Sequence, residues 1–155
     1  TRYWRDWSSD VCSSDLKLRP IGFGIMAVGF AVMAVFALSF RLGGELIARR
    51  FVNEAAVVAL AVQLLGVAAV FQLADGVQVI AAAALRGLMD VRVPAAITLV
   101  AYWVVALPLG YGLGFGAGFG AAGIWTGIAG GLSFAAVFLV ARFARLTRPA
   151  VAASA

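Results

Sequence analysis

The chain has no histidine, a single cysteine and only four prolines among its 155 residues. Without histidine there is neither an imidazole proton relay nor a histidine metal ligand. One cysteine, Cys12, offers no disulfide framework and no zinc-ligand spacing. Charge is scarce as well: Asp, Glu, Lys and Arg make up 12% of the residues, where an ordinary soluble domain carries about a quarter. Apolar residues fill the space, at 64% of the chain with a mean hydropathy of +1.03. This balance describes an all-α integral membrane protein. The net charge of +5 and isoelectric point near 10.4 raise the question of nucleic acid. No basic stripe with interleaved aromatics is present, so no nucleic-acid partner is expected, and the arginines read as topology signals at the membrane surface.

Residues 1–16 differ from everything after them, being polar and rich in Ser, Asp and Trp. They lack the basic, apolar and small-residue regions of a signal peptide. Asp6-Trp-Ser-Ser-Asp-Val-Cys-Ser-Ser-Asp15 resembles an in-frame translation of a common sequencing adapter, matched over ten consecutive codons. The segment, Cys12 included, is therefore read as non-native, with native sequence from about Lys17 and further sequence expected upstream.

Four apolar stretches follow. Ile21–Phe40 is uncharged for twenty residues, long enough to cross a hydrocarbon core of about 30 Å. Pro20 is placed to open that helix. Arg41-Leu-Gly-Gly-Glu-Leu-Ile-Ala-Arg-Arg50 suits an interfacial elbow. Ala55–Leu85 is a second span, followed by a charged loop, Arg86–Arg92, and by Pro94, which opens the third helix. The uncharged run Val93–Ala141 is too long for one crossing, and Gly110–Gly120 divides it, with Pro108 bending or ending the first part. Helices are expected near 21–48, 55–86, 94–112 and 120–142, with 149–155 as a disordered tail. Placing Lys17 in the cytoplasm leaves seven basic residues inside (Lys17, Arg19, Arg86, Arg92, Arg142, Arg145, Arg148) and three outside (Arg41, Arg49, Arg50). The asymmetry favours a multi-pass inner-membrane protein with its C-terminus in the cytoplasm.

One residue stands out chemically. Asp75 is the only ionisable side chain between Ala55 and Leu85. A charge at bilayer depth costs about 2.5–3.5 kcal/mol on insertion scales, so an intramembrane carboxylate is a functional-site candidate. Gln72 and Gln78 stand three residues to either side, on the same helical face. The stripe reads as a cation or proton site facing a bundle interior, against the plainer alternative of a buried structural hydrogen bond. Arg86 lies eleven residues on, about 16 Å away along the helix axis, too far to pair with Asp75, and reads as an interfacial anchor. Gly118-Phe-Gly-Ala-Ala-Gly123 matches a dinucleotide-binding pattern literally, but lacks the preceding strand and the following acidic residue that the motif needs. Gly123, Gly127 and Gly131 recur every four residues and mark a close helix–helix contact. Tyr102 and Trp103 are read as lining a cavity rather than the membrane interface. No nucleophile–base pair or metal cluster appears in the spans, so nothing points to an enzyme or a bound cofactor.

Phe71-Gln-Leu-Ala-Asp-Gly-Val-Gln78, Ala84-Leu-Arg-Gly-Leu-Met-Asp-Val-Arg-Val-Pro94, Ala101-Tyr-Trp-Val-Val-Ala-Leu-Pro-Leu-Gly-Tyr111 and Gly120-Ala-Ala-Gly-Ile-Trp-Thr-Gly127 together resemble the multidrug and toxic compound extrusion (MATE) family, in its NorM-like branch. Their order matches the last four of the family's twelve helices and covers residues 17–148. The resemblance implies part of the C-terminal six-helix lobe, whose partners are the bilayer, an N-terminal lobe and the remaining helices of its own lobe. It also implies export of cationic amphipathic drugs driven by inward sodium or protons, with Asp75 as the cation or proton site, the one residue placed to bind Na+. Phe71, Gln72, Gln78, Tyr102 and Trp103 would line the cavity. Some relatives place a tyrosine where Phe71 stands, so this chain lacks that hydroxyl. Two other readings are a lipid-linked saccharide flippase, which would want a cationic cavity where this chain has an acid, and a non-transporting scaffold, which would not need Asp75.

Overall fold

A computed structural model describes residues 3–148, with side chains from Leu18 onward. Residues 149–155, expected to form a disordered tail, lie outside the described residues. Three long helices and one interrupted helix make up the chain: α1 (Tyr3–Arg49), α2 (Ala55–Gly87), α3 (Arg92–Val100), α4 (Leu107–Tyr111) and α5 (Gly120–Leu146). The stretches Ala101–Ala106 and Gly112–Gly116 are π-helical and join α3 and α4 into one continuous span, Arg92–Gly116. Four helices are thus long and apolar enough to cross a membrane among the described residues. The fold is an all-helical, four-span membrane segment.

Three boundaries differ from expectation, each for a physical reason. Pro20 stands inside α1 rather than at its start. A proline costs one backbone hydrogen bond, a loss that a helix can absorb when its neighbours re-satisfy the freed groups. The elbow expected across Arg41–Arg50 falls at the far end of that segment, past Gly43 and Gly44. α1 continues to Arg49, where an Arg49–Glu45 ion pair of 2.8 Å spans one turn, and Gly44 lies against Leu65 of α2. The glycine-rich stretch from Gly110 also stays helical to Gly116, and the break falls at 117–119. Pro108 cannot donate to the carbonyl four residues back, and the wider π turn of Ala101–Ala106 precedes it. Gly118 (φ 75°) and Gly120 (φ 57°) carry the actual reversal in left-handed conformations.

Helix packing follows the order α1, α2, α5, Arg92–Gly116, as a row in which the last span in sequence lies between the second and the third. α2 and α5 run parallel. Phe71 meets Trp125 with ring centroids 5.9 Å apart, and two turns or more further along both helices Ala81 and Leu85 pack with Leu139 and Phe143. Met26 of α1 closes this core cluster, and Gly22 receives the Phe143 ring. The seam between α5 and the third span is tighter still. Gly127 lies on the Gly110 backbone, Gly123 on Leu113, and Gly131 on Ala101 and Ala106. No side chain larger than hydrogen fits at these three positions without the backbones moving apart.

Candidate intramembrane carboxylate site

α2 places Asp75 between two packing stripes. On one side Gln72, Gly76 and Ile80 face α1. The Gln72 amide nitrogen lies 3.6 Å from the Met33 sulfur, a Cβ on Gly76 would meet Met33, and Ile80 covers Gly29. On the other side Phe71 and Leu85 face α5, and Gln78 lies midway between them at the same seven-residue spacing. Asp75 occupies the arc left between them and is half-buried. The far side of α2 is different in character. There Leu73 and Val77, with Phe30 and Val137, line an almost wholly apolar groove of about 530 Å³. Asp75 thus lies on one flank of the row, and the apolar groove takes the other.

Among the described residues no hydrogen bond or ion pair reaches the Asp75 carboxylate. Twenty residues of α2 precede it from Ala55 and twelve follow it to Gly87, which puts it roughly 30 Å and 18 Å from the two helix ends. Gln78 is the second anomaly. It is 7% exposed, the one buried polar or charged side chain among the described residues, and its Oε1 has no hydrogen-bond partner. An unsatisfied buried carbonyl oxygen costs on the order of 1–3 kcal/mol, so it accepts readily from any donor or cation that reaches it. No cluster of three or more acidic, histidine or cysteine residues exists among the described residues. One carboxylate and neutral amides would therefore need further oxygen ligands to enclose a metal ion.

Of the other residues singled out in the sequence, Tyr102 and Trp103 line a cleft with Ala82 and Arg86, not with Asp75. Trp103 is 66% exposed. Asp75, Ala82 and Arg86 nonetheless fall on one stripe of α2, so the cleft opens on the same flank as the carboxylate. Phe71 is engaged edge-on with Trp125. Sequence reasoning passed over the Asp90–Arg142 contact, an ion pair of 2.9 Å between residues 52 apart. It ties the loop after α2 to the end of α5. The available signal was that Asp90 is the sole acid in the loop Arg86–Arg92, beside an excess of arginine. The loop itself closes α2 through paired bonds, from Asp90 N–H to the Leu85 carbonyl (3.0 Å) and from Met89 N–H to that of Arg86 (2.9 Å). That arrangement puts Met89 in the left-handed region at φ 61°, where helix ends usually place glycine.

Comparison with known proteins agrees with this architecture. The family model described as MatE matches residues 16–112. A probable multidrug resistance protein NorM of Xanthomonas campestris is 42% identical over 140 residues, covering 90% of this chain and 31% of that protein. A probable multidrug resistance protein NorM of Deinococcus radiodurans is 45% identical over 142 residues, covering 88% and 32%. The multidrug resistance protein NorM of Burkholderia vietnamiensis is 41% identical over 140 residues, covering 87% and 30%. The chain spans about a third of the length of the curated relatives it matches.

Proposed function

This chain belongs to the MatE family, and on that premise we propose that it carries the ion-coupling carboxylate of a multidrug efflux antiporter. The observation behind the reading is Asp75, an acid deep in α2 without a protein partner among the described residues. The names of the relatives support multidrug export. The carboxylate binds one of three cations at a time: a proton, sodium or the cationic head of an amphipathic drug. An unpaired charge is costly at bilayer depth, so the carboxylate keeps one load at a time, and loading by the inward ion displaces the drug. Exchange between the two loads, combined with rocking of opposed helix bundles around a central site, couples the gradient to export. Gln78 and Gln72 are neutral groups beside the site that favour whichever cation is bound. With the chain a third as long as its relatives, antiport is assigned to the complete transporter, in the cell's inner membrane with the Arg86–Arg92 loop and the end of α5 in the cytoplasm.

The test is a chimera in which this chain replaces the matching third of the Xanthomonas campestris relative, assayed for ethidium efflux alongside membrane abundance. Asp75→Asn keeps shape and hydrogen-bonding reach but cannot titrate, and should abolish gradient-driven efflux at normal abundance. Asp75→Glu should retain part of it, and Gln72→Ala should be milder than Asp75→Asn. Efflux at the unsubstituted level in Asp75→Asn, with damage in Asp75→Glu, would identify a structural carboxylate and sink the coupling role.

A further inference from the structure

The cleft beside Arg86 has a shape and charge that the antiport reading does not use. Its walls are Ala82 and Arg86 of α2 with Pro94, Thr98, Tyr102 and Trp103 of the third span, and it encloses about 430 Å³. The Thr98 hydroxyl donates to the Pro94 carbonyl at 2.9 Å, so the walls present mainly apolar surface. Arg86 is exposed and, among the described residues, forms no ion pair. The same end of the row carries Arg92, Arg142 and Arg145, of which Arg142 is paired with Asp90. From Arg92 to Trp103 the third span rises about 16 Å, half the thickness of a hydrocarbon core. The cleft therefore has a cationic mouth at the membrane surface and an apolar channel leading inward from it.

The geometry points to an anionic phospholipid as the occupant, with its phosphate on Arg86 and one acyl chain along Pro94, Thr98 and Trp103. A cationic amphiphile would meet Arg86 at the mouth, and a small soluble anion would leave the apolar length unfilled. The mainly apolar walls leading inward from Arg86 suit an acyl chain. Basic pockets between spanning helices are a common seat for anionic head groups.

The test uses this chain with Trp103 as its sole tryptophan, after Trp4, Trp7 and Trp125 are changed to Phe. It is reconstituted in phosphatidylcholine vesicles holding a minor share of brominated phosphatidylglycerol or, in parallel, of brominated phosphatidylcholine. Bromine on an acyl chain quenches an indole only in contact with it. Phosphatidylglycerol should quench Trp103 about fivefold more effectively per molecule. Arg86→Gln should remove that preference, and Arg148→Gln, which deletes an equal charge outside the cleft, should leave it. Equal quenching by the two lipids overturns the proposal. So does an equal effect of the two substitutions, which would assign the preference to general surface charge. Trp103 shielded from both lipids would mean that protein fills the cleft, and overturns it too. A second measurement needs no tryptophan changes: the purified chain should retain phosphatidylglycerol over phosphatidylcholine, and Arg86→Gln should lose that selectivity. Identical retention by both proteins is again fatal. None of these outcomes depends on Asp75.

Discussion

Met89 and Asp90 show how single residues at a helix end divide their work. Met89 occupies the left-handed C-terminal position of α2 at φ 61°, where a side chain costs about 1–2 kcal/mol. Asp90, one residue on, is thereby turned toward Arg142. Met89 is 88% exposed, so its side chain contributes little packing in return. Met89→Gly should stabilise the chain by about 1 kcal/mol, the relief of backbone strain less the added freedom of glycine in the unfolded state. Met89→Val, branched at Cβ, should destabilise it. Unfolding midpoints in detergent check both, and a lower midpoint for Met89→Gly would show that the side chain is held by contacts that outweigh the strain. At the same scale, the intramembrane carboxylate was legible in the sequence, because one charge in an apolar run needs no tertiary context to be seen. The Asp90–Arg142 pair was not, since nothing local relates residues 52 apart.

At the scale of elements, the decisive contact is the seam between α5 and the third span. The four-residue glycine spacing predicts a close approach but does not name the neighbour, and the structure supplies Gly110, Leu113, Ala101 and Ala106. A Cβ on Gly127 would fall on the Gly110 and Leu109 backbones, whereas one on Gly116 has nothing within 4 Å. Backbone cannot swing aside as a side chain can. Gly127→Ala should therefore cost about 1–3 kcal/mol, while Gly116→Ala should be neutral or slightly stabilising through better helix propensity. Thermal unfolding of the two variants in detergent decides it, and equal midpoints would place the seam elsewhere. The helix ends were less legible than the helices. Apolar length announces a span, but glycine and proline appear as breaks only where neighbouring helices fail to support them. Here α2 backs Gly44, and π turns flank the short α4 that holds Pro108.

For the whole molecule, the alternation of the spans puts the start of the third span and the ends of α2 and α5, with Arg86, Arg92, Arg142, Arg145 and Arg148, on one side, and the end of α1, with Arg49 and Arg50, on the other. The proposed orientation has the side with more arginines facing the cytoplasm. With Cys12 changed to Ser, a cysteine at Met89 should react with an impermeant reagent only from the cytoplasmic side. A cysteine at Phe119, 63% exposed in the opposite loop, should react only from outside. Labelling of both from one side would rule out the four-span arrangement.

Composition and pattern by themselves determined that this chain lives in a membrane, crosses it in four helices and carries one acid at depth, because transfer free energies depend on residue type and run length alone. Only tertiary structure decided which flank of the row that acid shares and that Gln78 is buried without a partner. Tertiary structure alone also decided that Tyr102 and Trp103 join Arg86 rather than Asp75. Those relations come from which helices lie side by side, and adjacency is set by glycine seams and ion pairs between residues far apart in the chain.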